Sequence, residues 1–88
     1  MKWEVVFSEK AGKQMRKLNK QVQKQIADYI RERLGKVQNP KSLGKALKGQ
    51  WQGLWRFRVG NYRLICEIQD GELVILLLEL GDRKDVYN

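Results

Sequence analysis

The sequence predicts an α+β fold in which a helical hairpin packs on a small, mostly antiparallel sheet, in the element order β-α-α-β-β-β. Three observations predict this fold. A short strand-like opening precedes two segments whose apolar residues recur at helical spacing. Two turn signals, Gly60-Asn61 and Asp70-Gly71, then join three stretches of strand character. At 88 residues the chain is expected to form a single domain over 1–88.

The first half of the chain carries one strand and two helices. Trp3–Phe7 is predicted as the strand, and Ser8 as the cap of a first helix with Glu9 in its first turn. Asn19 breaks or bends the helical region, and a second helix is predicted from Lys20 to Gly35. Its apolar stripe, which is expected to pack against the sheet, consists of Val22, Ile26, Ile30 and Leu34, with Tyr29 and Val37 near that face.

The helical region ends at Asn39-Pro40. The segment 41–49 has few apolar residues, so we interpret it as a loop with one helical turn. A tight hairpin follows, in which a loop at Gly60-Asn61 pairs Arg58 with Arg63. Alternation then separates two faces of the hairpin. The apolar face comprises Trp55, Phe57, Val59, Tyr62, Leu64 and Cys66, and the basic face comprises Arg56, Arg58 and Arg63.

The second turn, Asp70-Gly71, has the composition of a type I′ turn. A two-residue loop there places Cys66 opposite Ile75 and Leu64 opposite Leu77. The helices are therefore expected to cover a face made of Trp55, Phe57, Leu64, Cys66, Ile75 and Leu77. Residues 73–78 are apolar at odd and even positions alike, so both faces of a strand there would be apolar. This pattern indicates a central strand that is covered on both sides for part of its length.

Composition limits the possible functions without selecting one. The chain carries 18 Lys and Arg against 10 acids, and this net charge of +8 suits nucleic acid, an anionic membrane or an acidic protein. It has no histidine and one cysteine, which excludes an intrachain disulfide, a His-dependent metal site and the commonest general acid–base residue. The opening run is too short and too charged for a signal peptide, and no apolar run approaches the length of a membrane span. A cytoplasmic location is expected.

Arg56, Arg58 and Arg63 on one face have two interpretations. Like charges opposite one another destabilise a sheet, so a chain that gathers them has an anion to bind there. Alternatively, the face is the solvated outer surface of a basic protein. The hairpin alone does not decide between the two.

The ending Gly81-Asp82-Arg83-Lys84-Asp85-Val86-Tyr87 completes a pattern that resembles the RelE/ParE superfamily of toxins from toxin–antitoxin operons. The opening strand with its basic helical hairpin, the Leu47-Lys48-Gly49 element and the hairpin 54–64 belong to the same pattern. The Gly-x-Arg-x-x-Val-Tyr ending resembles the RelE branch. RelE-like toxins are small endoribonucleases that cut mRNA in the ribosomal A site.

The resemblance implies roles for particular residues. The catalytic set that it implies is Arg56, Arg58, Arg63, Arg83 and Tyr87, and the RNA-binding set is Lys48, Arg56, Arg58, Arg63 and Lys84. Arg56 and Arg58 stand where the RelE branch commonly has two lysines. A guanidinium titrates above about 12 and cannot act as a base, but it binds phosphate well. The departure therefore affects a lysine-based role at these positions and leaves the electrostatic role.

The chemistry open to these residues is attack of a ribose 2′-hydroxyl on the neighbouring phosphorus, which leaves a 2′,3′-cyclic phosphate. Cations aimed at the phosphoryl oxygens stabilise the transition state. They also lower the pKa of a nearby phenol, so Tyr87 is expected to act as general base while Arg83 stabilises or protonates the leaving oxygen. Such weak proton-transfer groups predict slow cleavage of free RNA, which a ribosome would accelerate by orienting the mRNA.

The leading hypothesis is accordingly a metal-independent, ribosome-dependent mRNA endonuclease without a cofactor. Its expected partners are an acidic, RelB-like antitoxin and a ribosome with mRNA in the A site. One alternative is a ParE-like poison of DNA gyrase with the same fold, although such toxins generally lack the Arg and Tyr of the tail. Another is a non-catalytic nucleic-acid-binding module whose arginines only neutralise phosphate.

Overall fold

The structure is a computed structural model that describes residues 2–82. Its strands and helices are β1 (Glu4–Phe7), α1 (Glu9–Arg16), α2 (Lys20–Tyr29), β2 (Lys45–Ala46), β3 (Trp55–Val59), β4 (Tyr62–Gln69) and β5 (Val74–Asp82). A π-helical segment, Ile30–Leu34, continues α2, and 3₁₀ turns occupy Pro40–Leu43, Gly49–Trp51 and Asp70–Glu72. Within residues 2–82, no helix has the length and apolar character needed to cross a bilayer.

The strands form one sheet in the spatial order β1-β5-β4-β3-β2. β1 runs parallel to β5, and the other neighbouring pairs are antiparallel. Two helices pack on one face of this five-stranded mixed sheet, which confirms the predicted α+β class. The opposite face, called the outer face below, carries the hairpin arginines.

Side chains define where both helices begin. Ser8 Oγ accepts a hydrogen bond from Ala11 N at 3.1 Å, which confirms the predicted cap of α1. Asn19 Oδ1 accepts one from Val22 N at 2.9 Å, so the residue that interrupts the helical region is the cap of α2. The amide of Gln23 donates to carbonyls at the end of α1 and beyond it, and thereby ties the two helices together.

The main core lies between the helices and the sheet. Apolar residues of both helices and of β3, β4 and β5 are buried there: Ala11, Ile26, Leu34, Phe57, Val59, Leu64, Cys66, Ile75, Leu77 and Leu80. Trp55 and Tyr62 pack against this cluster. The predicted helix-covered face is therefore confirmed, and so is the register of the first hairpin, in which Arg58 pairs with Arg63.

The prediction for the second turn is wrong. Asp70-Gly71 does not form a two-residue type I′ loop, because the chain makes a 3₁₀ turn followed by Leu73 at φ +54°. Cys66 consequently pairs with Leu77 rather than with Ile75. Leu73 packs against the main core, and this burial offsets the strain of its left-handed backbone. The register moves by two residues, so each side chain keeps its predicted face.

A β-bulge in β5 produces a second departure from the prediction. The register advances by one residue between Ile65 and Cys66, which leaves Leu78 as the extra residue of β5. Leu64 therefore pairs with Leu80 rather than with Leu77. The bulge turns the fully buried Leu80 toward the helices, and Ser8 Oγ donates to the Leu78 carbonyl at 2.8 Å.

The segment 41–49 contains a strand that the sequence analysis missed. The predicted helical turn is present at Pro40–Leu43, but β2 follows it and makes the sheet five-stranded. Lys45 pairs with Arg56 of β3. Two residues are too few to show the alternation by which a strand is recognised in sequence.

Candidate RNA-binding site

The arginine hairpin forms because its turn and its alternation agree. Gly60 adopts φ +60° at the turn, a conformation that glycine enters without steric cost. A Cβ at this position would also lie 2.9 Å from Nε2 of Gln25, so α2 approaches the turn closely. The resulting register sets Arg58 directly opposite Arg63 and Arg56 opposite Ile65.

Arg56, Arg58 and Arg63, called the arginine face below, lie together on the outer face of β3 and β4. Arg58 is exposed, whereas Arg56 and Arg63 are half-buried. The Nε of Arg56 is buried, and among residues 2–82 it has no hydrogen-bond partner. A buried donor without an acceptor carries a free-energy cost.

Several cations on the helical side of the molecule form ion pairs with carboxylates. Arg31 donates to Asp28 at 2.6 Å and to Glu32 at 3.1 Å, and Lys36 pairs with Glu32 at 3.3 Å. The pKa of Asp28 is lowered chiefly by a hydrogen bond from Lys24, and the pKa of Glu32 chiefly by one from Arg31. Within the described part of the chain, neither Arg56 nor Arg58 forms an ion pair. Arg56 and Arg58 therefore keep charge that no carboxylate of the described residues pairs with, in contrast to Arg31 and Lys36.

Lys48 lies in the segment Leu47–Leu54, which connects β2 to β3 and is called the capping loop below. Leu47 N donates to the Leu54 carbonyl at 3.0 Å and extends the β2–β3 ladder by one pair. Lys48 is exposed, whereas the neighbouring Leu47 is buried against Ile65 on the outer face. The predicted RNA-binding lysine is thus exposed and directly follows a residue that is anchored on the outer face.

The remaining predicted residues, Arg83, Lys84 and Tyr87, lie outside the described residues. The last described residues, Gly81 and Asp82, pair with Arg63 and Tyr62. The described part of the chain therefore ends beside Arg63 of the arginine face.

A family model described as the ParE toxin of the type II toxin–antitoxin system parDE matches residues 5–87. The chain belongs to the RelE/ParE superfamily of type II toxins. A putative RelE-like toxin of Escherichia coli is 29% identical over 90 residues, which cover 100% of this chain and 93% of that protein. Toxin RelG of Mycobacterium tuberculosis is 26% identical and covers 99% of this chain and 98% of its own length.

The fold of this toxin also matches a solved structure. The toxin–antitoxin complex RelBE2 of Mycobacterium tuberculosis contains a chain that superposes with a TM-score of 0.86. The match covers 94% of this toxin and 100% of that chain at 24% identity, and it establishes the common fold.

Several groups in the toxin have structural roles. Burial raises the pKa of the Cys66 thiol, which holds it in its unreactive neutral form. Tyr62 and Trp55 pack against the main core, as expected from their parity. Among residues 2–82, no cluster of His, Cys, Asp or Glu side chains is grouped as metal ligands would be.

Sequence reasoning missed the small apolar cluster of the outer face. Ile65 is fully buried there, together with Leu47, and Trp51 and Leu54 pack against them. The sequence did contain a signal for this cluster. Alternation puts Ile65 on the same face as Arg63, and an isoleucine flanked by charged outward residues requires a cover. The capping loop provides that cover.

Proposed function

We propose that the toxin is a ribosome-dependent mRNA endonuclease and that the arginine face holds the RNA at the scissile phosphate. The main support is the arrangement of Arg56, Arg58 and Arg63 on one face, where the exposed Arg58 stands directly opposite Arg63. A phosphate bound there compensates the repulsion between Arg58 and Arg63. The relative from Escherichia coli, described as RelE-like, adds support from sequence.

The proposed reaction is an internal transesterification. The 2′-oxygen forms a bond to phosphorus, the bond from phosphorus to the 5′-oxygen breaks, and a 2′,3′-cyclic phosphate remains. Tyr87, as phenolate, takes the proton from the 2′-hydroxyl, and Arg83 stabilises or protonates the departing 5′-oxygen. The arginine face neutralises the charge that develops on the non-bridging oxygens. Lys48 and Lys84 bind flanking phosphates.

The ribosome supplies positioning that this site does not. A phenol and guanidinium groups are poor proton-transfer catalysts near pH 7, because their ordinary pKa values lie far from it. Fixing the mRNA in a near-attack geometry can lower the barrier by about 7–11 kcal/mol. We therefore propose the ribosome with mRNA in its A site as a required partner, and the cytoplasm as the location.

An acidic antitoxin is the second proposed partner. Solved structures with this fold include RelB–RelE complexes from Escherichia coli and Methanococcus jannaschii. The net charge of +8 favours a partner of opposite charge. An antitoxin segment over the arginine face would neutralise it and exclude RNA.

The deciding experiment maps cleavage of mRNA on programmed ribosomes and identifies the end groups. The proposal predicts cuts confined to the A-site codon, with 2′,3′-cyclic phosphate on the upstream fragment and 5′-hydroxyl on the downstream one. The same mRNA without ribosomes is the control and is expected to be cut far more slowly. Uncut mRNA on ribosomes, or 5′-phosphate ends, would contradict the proposal.

A poison of DNA gyrase is the second candidate, and one observation favours it. The family model that matches the chain is described as a ParE toxin. A supercoiling assay separates the two candidates. The nuclease proposal predicts unchanged gyrase activity at toxin concentrations that halt translation, whereas inhibited supercoiling with intact mRNA would establish the gyrase candidate.

A further inference from the structure

The capping loop joins an exposed tip to a buried base. Its base comprises Leu47, which is 6% exposed, and the half-buried Leu54 and Trp51, all packed on Ile65. Its tip is exposed and includes Lys48. The loop is thus fixed to the sheet by an apolar contact and presents polar groups above it.

Ile65 is an unusual residue for its place. It faces outward, and its neighbours on that face are Arg63 and Glu67 along β4, Arg56 across β3, and Glu79 across β5. It is nevertheless 0% exposed, because the capping loop covers it. The buried area stabilises the position of the loop directly beside the arginine face.

The tip of the loop has a defined shape. Trp51 N donates to the Lys48 carbonyl at 3.2 Å, and Gln52 N donates to the Gly49 carbonyl at 3.0 Å. Gly49 at φ +67° and Gly53 at φ +95° make the two reversals, and a Cβ at either would meet no atom within 4 Å. The glycines therefore serve the backbone conformation of the loop rather than close packing. Because Trp51 also belongs to the apolar base, its hydrogen bond to Lys48 ties the tip to that base.

We propose that the capping loop is an RNA strap and that Ile65 is its positioning residue. Ile65 touches no RNA, but by anchoring the loop it holds Lys48 where that ammonium and the arginine face contact successive phosphates of one strand. Without this anchor, the loop would lose conformational entropy when it becomes ordered on binding, and the phosphate contact of Lys48 would contribute less to affinity. The inference rests on the RNA-binding part of the proposed function and is independent of cleavage.

A double-mutant cycle on the salt dependence of binding tests the strap. The probe is a fluorescent single-stranded DNA of about 12 nucleotides, which lacks the 2′-hydroxyl and cannot undergo the proposed reaction. One phosphate contact contributes about 0.7 to the log–log salt slope for single strands. Lys48→Ala should lower the slope by about 0.7 in the wild-type background and by less than about 0.2 in an Ile65→Ala background.

Ile75→Ala is the matched control. Ile75 is also 0% exposed on the same sheet, but it belongs to the main core under the helices. The Ile75→Ala substitution removes the same atoms as Ile65→Ala from an equally buried position. A general loss of stability would therefore affect both variants alike. In the Ile75→Ala background, Lys48→Ala should keep its full effect of about 0.7. If Ile65→Ala does not fold, Ile65→Val and Leu47→Ala release the same contact more gently.

The outcomes separate this inference from the proposed function. An equal effect of Lys48→Ala in the Ile65→Ala and wild-type backgrounds overturns the strap, and so does a wild-type toxin that binds the probe without salt dependence. Ribosomal cleavage is measured on the same preparations. Coupling between Lys48 and Ile65 without ribosomal cleavage supports the strap and refutes the nuclease proposal. Cleavage without coupling supports the nuclease proposal and refutes the strap.

Discussion

Neutralising Arg56 and Arg58 together should flatten the salt dependence of RNA binding. Both side chains are cations without an ion pair in the described part of the chain, so each is expected to contact one phosphate. At about 0.7 per contact, the double Ala variant should lose about 1.4 from the log–log slope. Between about 50 and 200 mM salt, the affinity of the variant should therefore fall about sevenfold less than that of the wild type.

The assay is fluorescence titration of a labelled RNA strand at several salt concentrations. The control is the double variant Arg31→Ala/Lys36→Ala, which lowers the net charge from +8 by the same two units. Both of its residues already pair with carboxylates on the helical side. Its slope should stay within about 0.3 of the wild-type value, because long-range charge alone carries little of the effect. Equal slopes for the two double variants would refute the assignment of phosphate contacts to the arginine face.

Three other perturbations test the mechanism and the packing. Tyr87→Phe should retain binding and lose about 10²–10⁴-fold in single-turnover cleavage on programmed ribosomes, and a change below about threefold would remove Tyr87 from the reaction. Gly44→Ala should lower the free energy of unfolding by about 1–3 kcal/mol in urea titrations, because its Cβ would lie 2.7 Å from the Phe57 ring. Gly71→Ala, with nothing within 4 Å, is its control and should change stability by less than about 1 kcal/mol, so equal values would contradict the packing. Burial raises the pKa of Cys66, so the unfolded chain loses this proton above about pH 8.5 while the folded chain keeps it. Stability should then fall more steeply between about pH 9 and 10 in the wild type than in Cys66→Ala, by up to about 1.4 kcal/mol per pH unit, and parallel curves would contradict this.

Local chemistry made the arginine hairpin predictable. A glycine at the turn and alternation on both strands specify a single register, and that register places Arg58 opposite Arg63. The predicted cap Ser8 likewise follows from a side chain that satisfies one of the first amides of a helix. In each case, residues that are adjacent in sequence determine the structure.

The second turn was not predictable because a distant contact decides it. Asp70-Gly71 favours a two-residue loop on local grounds, but Leu73 gains burial against the main core when the turn is longer. The bulge at Leu78 likewise depends on the space that Leu80 fills beneath the helices. Tertiary packing outweighed turn propensity at both places.

The sequence predicted which charged residues lie on the face of the candidate site, but not the structure of the loop beside them. The alternation of side chains along β3 and β4 is enough to assign the arginines to the outer face. The cover over Ile65 required knowing that residues 47–54 fold back onto the sheet, which depends on the two-residue strand β2. The sequence signal for that strand is too short to detect.

The position of β5 between β1 and β4 has a consequence for synthesis of the toxin. Among the strands of residues 2–82, β1 is translated first, yet its neighbour β5 is translated last. A nascent chain that ends before residue 74 leaves Val5 and Phe7 of β1 without the strand against which they pair. Closure of the sheet therefore waits until residues 74–82 have been translated, and contacts between distant parts of a sequence form slowly. A nascent chain short of residue 74 therefore holds the β3–β4 hairpin with its arginines but lacks the strand that joins this hairpin to β1.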